Sequence, residues 1–369
     1  MIRLALDRSI FEYDGRGIAS VTRNFYKELM RLHGREIELF TICNRPLVSA
    51  FDLPACEIRC EDNPDVAWQS GLAKAVARTG VDVVHFPFNV NFSESWRKEL
   101  PAQTKIVSTI HDMIPFVLPE MHHVTLDWLR RREVDIRRHL DESSIVFTAS
   151  ESAKADLVRI VGARPEKVEV LYNAASLDLA SADAPKLLAG DYFLYNGGYD
   201  YRKGMQELVD AFLQLKMVGR LRESLVLTGA PVPLSPRFTA LVEYGKSHGW
   251  IRELGYVSNA DLAVLFAHAR ALVYLSAYEG FGLPPLEAMR QGCPVITCRN
   301  SSIPEVCGEA VCYVDRADSR QVQEALLRLS DDESYRRELI DSGRQQSQLF
   351  SWEKTAERFY RRIVSGVTN

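Results

Sequence analysis

Short apolar runs alternate with stretches of helical period along the whole chain, and this alternation restricts the fold more than any other feature of the sequence. The first half carries strand-like runs at 2–6 (IRLAL), 37–43 (IELFTIC), 81–86 (VDVVHF), 105–110 (KIVSTI), 144–149 (SIVFTA) and 168–172 (VEVLY). Between the first two, Ile18, Val21, Phe25, Leu29 and Leu32 recur at three- and four-residue spacing, the period of a helix with one buried face. The second half repeats the theme, with strands at 192–197, 224–229, 251–257, 271–276, 294–298 and 311–314 and helices at 203–217, 259–269 and 285–291. Strands alternating with helices build parallel sheets with right-handed crossovers. Two such blocks predict an α/β chain of two Rossmann-like, doubly wound parallel-sheet domains facing a central cleft. The Ala-, Ser- and Asp-rich stretch 175–190 reads as a linker, so the expected domains are 1–180 and 190–351. The final amphipathic segment carries Ala356, Phe359, Tyr360 and Ile363 on one face, and its pattern alone fits either domain.

A length of 369 residues suits two ordinary domains. The net charge of -4 supplies no basic field, which argues against a nucleic-acid partner. The apolar start is broken at Asp7 and Arg8, too early for a signal peptide, and no run of about 18 uncharged apolar residues exists to span a membrane. A cytoplasmic protein is expected. The cysteines are Cys43, Cys56, Cys60, Cys293, Cys298, Cys307 and Cys312, an odd set that argues against a disulfide framework. The last four sit in strand-like runs and read as buried reduced thiols rather than zinc ligands.

Open parallel sheets bind ligands beyond the carboxyl ends of their strands, so the residues after each strand carry the functional argument. Four places qualify. Gly15 and Gly17, with Ile18 opening a helix, permit close backbone approach of an anion, although Ser20 stands where a third dinucleotide-binding glycine would fall and a plain tight turn remains open. His111 and Asp112 follow the run KIVSTI; the histidine is placed either to donate to a ligand hydroxyl and carry a proton or to be satisfied by a backbone group. Arg202 and Lys203 stand where a helix begins, suited to a diphosphate or to a solvated surface pair. The fourth place, YEGFGLPPLEAMRQGCPVI at 278–296, joins Glu279, a glycine turn, two prolines opening a helix, and Glu287 in its expected first turn. Free N–H groups there suit phosphate, and the flanking carboxylates suit vicinal hydroxyls of a sugar or ribose. The chain contains no Walker A motif, which argues against a P-loop nucleotidase.

YEGFGLPPLEAM followed by GCPVI resembles the signature of the retaining glycosyltransferases of family 4, which have the GT-B fold, and Glu279 and Glu287 meet its E-x7-E spacing. The turn at 15–18, His111-Asp112, TASESAKADL at 148–157, RKG at 202–204, SSIPEV at 301–306 and FSW at 350–352 fall in the family's order, so the resemblance covers nearly the whole chain. It implies that Glu279 contacts the donor hexose, that Glu287 holds the ribose hydroxyls, and that the main chain at Phe281, Gly282 and Leu283 faces sugar and diphosphate. It implies that Arg202 and Lys203 neutralise the departing diphosphate, that His111 holds the sugar near its reacting carbon, and that Gly17 and Ile18 line the cleft. It also implies that the last helix, 352–369, returns to the N-terminal domain. Many relatives carry Gly-Arg where this chain has Gly198, and this departure leaves diphosphate neutralisation to Arg202 and Lys203.

The His-Asp pair, the SSIPEV run and the missing arginine resemble the branch that builds bacterial surface polysaccharide. That resemblance implies a hexosyltransferase moving mannose from GDP-mannose to a glycan or lipid-linked acceptor. UDP-hexose donors remain open, and a sugar-nucleotide epimerase on the same fold is a competing enzyme class. No cofactor or metal is expected, because Arg, Lys and helix N–H groups supply the charge and no D-x-D motif occurs. The segment 126–140 gathers Leu126, Leu129, Ile136 and Leu140 with Arg130, Arg131, Arg132, Arg137 and Arg138. It fits either peripheral contact with anionic lipid or a core helix whose basic face is solvated and paired through Glu133 and Asp135.

Overall fold

A parallel strand covered on both faces needs a nearly continuous apolar run, which is what most of the strand segments supply. In the computed structural model the described residues are 1–7, 11, 17–43, 56–59, 76–88, 98–122, 124–181, 184–230 and 235–368. They form two units, Met1–Ala174 with Ser351–Asn369, and Ala175–Phe350.

The first unit holds β1 (Ile2–Asp7), β2 (Ile37–Cys43), β3 (Cys56–Arg59), β4 (Val83–Phe86), β5 (Lys105–Thr109), β6 (Ile145–Thr148) and β7 (Val168–Val170). Their order is β3-β2-β1-β4-β5-β6-β7, with every pairing parallel. Strand β3 is absent from the sequence reading. Its four residues, CEIR, are half charged, and among the described residues it is an edge strand that pairs with β2 alone. The helix Gly17–His33 buries Val21, Phe25 and Leu29. It packs on the last helix, Trp352–Thr368, where Phe25 and Phe359 meet edge to face at 5.1 Å. Ala356, Phe359 and Ile363 share one core with Leu4, Leu6 and Leu29. Ser351 caps this last helix, its Oγ accepting from the Lys354 N–H at 3.2 Å.

The second unit holds β8 (Tyr192–Asn196), β9 (Ser224–Thr228), β10 (Ile251–Gly255), β11 (Ala271–Tyr274), β12 (Val295–Thr297) and β13 (Cys312–Tyr313). The order is β10-β9-β8-β11-β12-β13, again all parallel. Phe193, Leu208, Phe212, Leu225 and Val273 lie in its core. Two expectations change here. The helix expected at 203–217 begins at Met205, after a separate 3-10 turn, Tyr201–Lys203, and the helix expected at 285–291 runs Leu283–Arg290. The stretch read as a linker is fastened along that second helix: Arg290 Nη1 donates to the Ala175 carbonyl at 3.1 Å, Gln291 Nε2 to that of Asp178 at 2.7 Å, and Gln291 Oε1 accepts from the Ala180 N–H at 3.0 Å.

Each sheet reverses its winding direction once, between β1 and β4 and between β8 and β11. Such switch points open a crevice at the strands' carboxyl ends, where doubly wound sheets take ligands. Free thiols lie elsewhere: Cys293, Cys298 and Cys307 are buried and Cys312 is half-buried. The side chains of Cys43 and Cys56, and all of Cys60, lie outside the described residues.

Candidate active site

The β8/β11 switch point gathers three of the expected residues. The Tyr201–Lys203 turn follows β8, and Ser276 to Glu279 follow β11. Asp200 caps the turn, accepting from the Arg202 N–H at 2.9 Å. Gly204 closes it at φ 69°, and a β-carbon there would collide with the Leu275 carbonyl, so the two switch-point loops meet only because this residue is glycine.

One oxygen, Glu279 Oε1, is the centre of the cluster. It accepts from Arg202 Nη1 at 2.7 Å, Lys203 Nζ at 2.6 Å, Tyr274 Oη at 2.8 Å and Ser276 Oγ at 2.6 Å. Lys203 also donates to the Tyr274 hydroxyl and lies 4.9 Å from the ring centroid. Burial alone would raise the Glu279 carboxyl, but Lys203 and Arg202 overcome it and hold the pKa down to about 2. Burial lowers the Lys203 ammonium despite Glu279, whereas for Arg202 burial is offset by Glu279, Tyr274 and Asp200 together, which raise it. The reading of Arg202 and Lys203 as a solvated pair is therefore excluded: Arg202 is 8% exposed, and both cations are tied to a buried anion. Arg202 Nε, 3.7 Å from Asp200, is buried without a hydrogen-bond partner.

The backbone of Glu279 is held from behind. Its N–H donates to Ser301 Oγ at 2.9 Å, its carbonyl accepts from Ser302 Oγ at 2.9 Å, and Asn300 Nδ2 donates to the Ser276 carbonyl at 3.0 Å. Ser301 does this at φ 45°, a left-handed conformation uncommon for serine.

Glu287 stands apart from this cluster. The helix starts at Leu283 with no acidic residue in its first turn, so Glu287 falls one step beyond the expected place. Its Oε1 accepts from the Ser176 N–H at 3.3 Å. Burial pushes its carboxyl up to about 7, against the Ser176 hydrogen bond and Arg290. The E-x7-E spacing thus yields two carboxylates of opposite character, one strongly ionised and one poised near neutrality. Gly282 caps the helix at φ 100°, and a β-carbon there would meet Ile303 Cδ1 at 2.7 Å. Phe281 is buried against Phe350, with ring centroids 5.6 Å apart. Pro284 and Pro285 have no N–H, so Leu283 offers the first donor inside this helix.

In the first unit, His111 follows β5 and its Nε2 bonds the Pro87 carbonyl, just past β4, at 2.9 Å. A carbonyl only accepts, so Nε2 carries the proton. Burial lowers the imidazole pKa, against the Pro87 hydrogen bond and Asp112. The Pro87 carbonyl is a backbone partner of the kind one of the two sequence readings expected, and a neutral His111 keeps Nδ1 as its remaining, accepting nitrogen. Asp112 accepts the Ile114 N–H at 3.0 Å. Beside His111 runs a chain absent from the sequence reading, in which Tyr26 Oη meets His85 Nδ1 at 2.7 Å and His85 Nε2 meets Thr109 Oγ1 at 2.9 Å. Burial, then His111, pushes His85 down to about 3. His85, His111, Asn173 and Trp352 line one pocket with Val21 and Thr22 of the first helix. Gly17 and Ile18 are not in that lining: Ile18 packs on the Phe11–Ala19 cluster, and a β-carbon on Gly17 would meet nothing within 4 Å. Tyr13 to Arg16, with Gly15, lie outside the described residues.

Residues 15–179 match the family described as Glycosyltransferase Family 4, and residues 182–346 match Glycosyl transferases group 1. O-antigen chain mannosyltransferase B of Escherichia coli is 34% identical over 68% of this chain and 67% of its own length. The serotype-specific mannosyltransferase WbdA of Escherichia coli is 27% identical over 79% of this chain, which spans only 37% of that longer protein. Among solved structures, sucrose-phosphate synthase of Thermosynechococcus elongatus superposes with a TM-score of 0.76, at 21% identity, covering 99% of this chain and 100% of that one. Two parallel-sheet Rossmann-like domains of this kind are the GT-B fold of the glycosyltransferases. The chain belongs to glycosyltransferase family 4, and it is a glycosyltransferase.

Tyr274, Ser276 and Asn300 received no role from the sequence, because a strand-borne tyrosine and short polar loop residues read as core and turn. The available signal was their place after strands: Tyr274 and Ser276 at the end of β11 before Glu279, and Asn300 in the loop after β12.

Proposed function

We propose that this glycosyltransferase moves mannose from GDP-mannose, with retention, to a glycan or lipid-linked saccharide in surface polysaccharide synthesis. The carrying observation is the Arg202–Lys203–Glu279 cluster at the switch point between β8 and β11, in a chain whose relatives are named as an O-antigen chain mannosyltransferase and a serotype-specific mannosyltransferase. In the reaction, the bond from mannose C1 to the β-phosphate oxygen breaks, and the electron pair leaves with the diphosphate. The acceptor oxygen bonds C1 on the same face, and its proton passes to a diphosphate oxygen. Negative charge grows on the leaving group, and pre-placed cations stabilise it best where water is excluded. Arg202 and Lys203 fill that role, moving part of their donor capacity from Glu279 to the phosphate oxygens. Glu279 then holds the sugar hydroxyls, Glu287 the ribose hydroxyls, and the main chain at Phe281, Gly282 and Leu283 the sugar and diphosphate. The family resemblance assigns His111, through Nδ1, to accept from the donor sugar, and Gly17 and Ile18 to line the donor site. No metal or cofactor takes part in this scheme.

Incubation with GDP-mannose, UDP-glucose, UDP-galactose and UDP-N-acetylglucosamine tests the donor, by slow hydrolysis and by thermal protection. GDP-mannose should lead; preference for a UDP sugar would replace the reading with a UDP-hexose transferase, and release of an epimerised free sugar nucleotide with an epimerase.

We also propose a cytoplasmic protein that touches an anionic bilayer through the helix Leu126–Glu142. Among the described residues no helix is long and apolar enough to cross a membrane. Leu126, Trp128 and Val134 are exposed on this helix beside Arg130 and Arg131, which supports a peripheral contact.

A further inference from the structure

We propose that Arg316 is a positioning residue for transfer, a strut that fixes the Tyr201–Lys203 turn and thereby aims Arg202 and Lys203. The inference rests on the proposed roles of those two cations. Arg316 lies just past β13, far from them in sequence, yet its guanidinium reaches the turn's own backbone. Nη1 donates to the Arg202 carbonyl at 3.0 Å and Nη2 to the Tyr201 carbonyl at 3.1 Å. Glu207, in the first turn of the following helix, anchors the same guanidinium: Nε reaches its Oε1 at 3.0 Å, and Nη2 donates to that oxygen too. One planar fork therefore ties together the loop after β13, the turn after β8 and the start of the next helix.

The loop that carries Arg316 is itself held. Asp315 N–H donates to Gln321 Oε1 at 3.0 Å, Asp315 Oδ1 accepts from the Ala317 N–H at 3.0 Å, and Asp318 caps the helix Ser319–Asp331. The turn is also held by Asp200, which accepts from the Arg202 N–H through its side chain and from the Lys203 N–H through its carbonyl, each at 2.9 Å. It is three residues long, and its closing bond, from the Gly204 N–H to the Tyr201 carbonyl, is 3.4 Å. The Ala277 N–H also donates to the Arg202 carbonyl, at 2.7 Å. Loss of Arg316 would thus leave the turn formed but less firmly placed. A displacement of a catalytic cation by about 1 Å costs on the order of a hundredfold in rate. Arg316 touches no reacting atom in this scheme, so its loss should act on turnover rather than on donor affinity.

The test compares Arg316→Ala, Glu207→Gln, their double variant and Arg337→Ala in the full chain. Arg337 is an exposed arginine that faces Glu333 at 3.8 Å, and it controls for the loss of one surface charge. With GDP-mannose, Arg316→Ala should lower kcat by about tenfold or more while KM changes less than about threefold. Glu207→Gln should act in the same direction, and the double variant should be little worse than Arg316→Ala, because the two form one unit. Arg337→Ala should match the parent. Hydrogen exchange, which needs no donor, should show faster exchange at the Lys203 and Gly204 amides in Arg316→Ala. Unchanged exchange at those amides, or kcat within twofold of the parent, overturns the strut; equal losses in kcat and melting temperature across all variants reduce it to general stability. Failure of the parent protein itself to use GDP-mannose overturns the donor assignment instead, and the exchange result still decides the strut.

Discussion

Arg202 Nη1 and Glu279 Oε1 stand 2.7 Å apart although 77 residues separate them in the chain. The contact exists because β8 and β11 are neighbours at the switch point, so the loop after each strand opens on the same crevice. Lys203 reaches the same oxygen, and the anion is buried between two cations. The arrangement stores charge in a form that a diphosphate can draw on. It also gives Glu279 a structural role beside the sugar contact proposed for it.

That double role separates two substitutions. Glu279→Ala leaves Arg202 and Lys203 buried without their anion, an uncompensated charge that costs about 3–5 kcal/mol. Thermal melts should therefore place Glu279→Ala well below the parent, with Glu279→Gln between them. The difference should shrink in acid. The folded pKa of Glu279 is depressed to about 2, so its stabilisation is present above the ordinary carboxylate range near 4.5 and is lost as pH falls toward 2. A constant difference from pH 7 down to pH 3 would contradict the buried ion pair.

Lys203→Ala keeps Arg202 on Glu279 but removes one charge from the leaving-group site. Single-turnover kinetics with GDP-mannose should show transfer slowed by about 10²–10³-fold. Donor affinity, measured by titration, should change far less. Full transfer rate in this variant would remove Lys203 from the proposed mechanism.

The α/β class, the two parallel sheets and the approximate place of nearly every strand were legible because strands buried on both faces must be apolar. Strand β3 was not, since an edge strand tolerates the charges of CEIR. Arg202, Lys203 and Glu279 were legible as residues that follow strands. Their mutual pairing was not, because it depends on which strands are neighbours, and a spacing pattern does not encode sheet order. The same limit hid Arg316, whose partners lie 114 and 115 residues away. Glu287 was legible as a motif position, but its elevated pKa follows from burial beside Ser176, a contact between segments 111 residues apart. His111 was recognised by its place after β5, while its protonation pattern follows from the Pro87 carbonyl at the end of the neighbouring strand.

Glu287 predicts a pH effect of opposite sign to Glu279. Burial raises its folded pKa from 4.5 to about 7, so the neutral form is favoured in the folded chain. Its contribution to stability is complete below the unfolded value and is lost as pH rises through about 7. Glu287→Gln should thus gain on the parent between pH 5 and pH 8, by up to about 3 kcal/mol. Denaturant titrations of both proteins at the two pH values measure this directly. The same variant should bind GDP more weakly at pH 8, where the parent offers a carboxylate to the ribose hydroxyls.

The helix Leu126–Glu142 gives a prediction about location. Arg137 is bound to Glu133 at 2.7 Å, Arg130 faces Asp127 at 3.7 Å, and Arg132 lies over the Phe88 ring at 5.5 Å. These contacts leave Arg131 as the arginine most directly offered to a surface, beside Leu126 at 72% exposure and Val134 at 46%. An anionic bilayer would gain roughly 1 kcal/mol from each arginine near it, together with burial of the exposed leucine and valine. Few charges and little apolar area make the contact weak and dependent on salt. Co-sedimentation with vesicles containing anionic phospholipid should therefore be partial at low salt, lost near physiological salt, and absent with neutral vesicles. Arg130→Glu with Arg131→Glu should abolish it while leaving hydrolysis of GDP-mannose in solution unchanged. No sedimentation with anionic vesicles at low salt would assign the arginine-rich face to solvent alone.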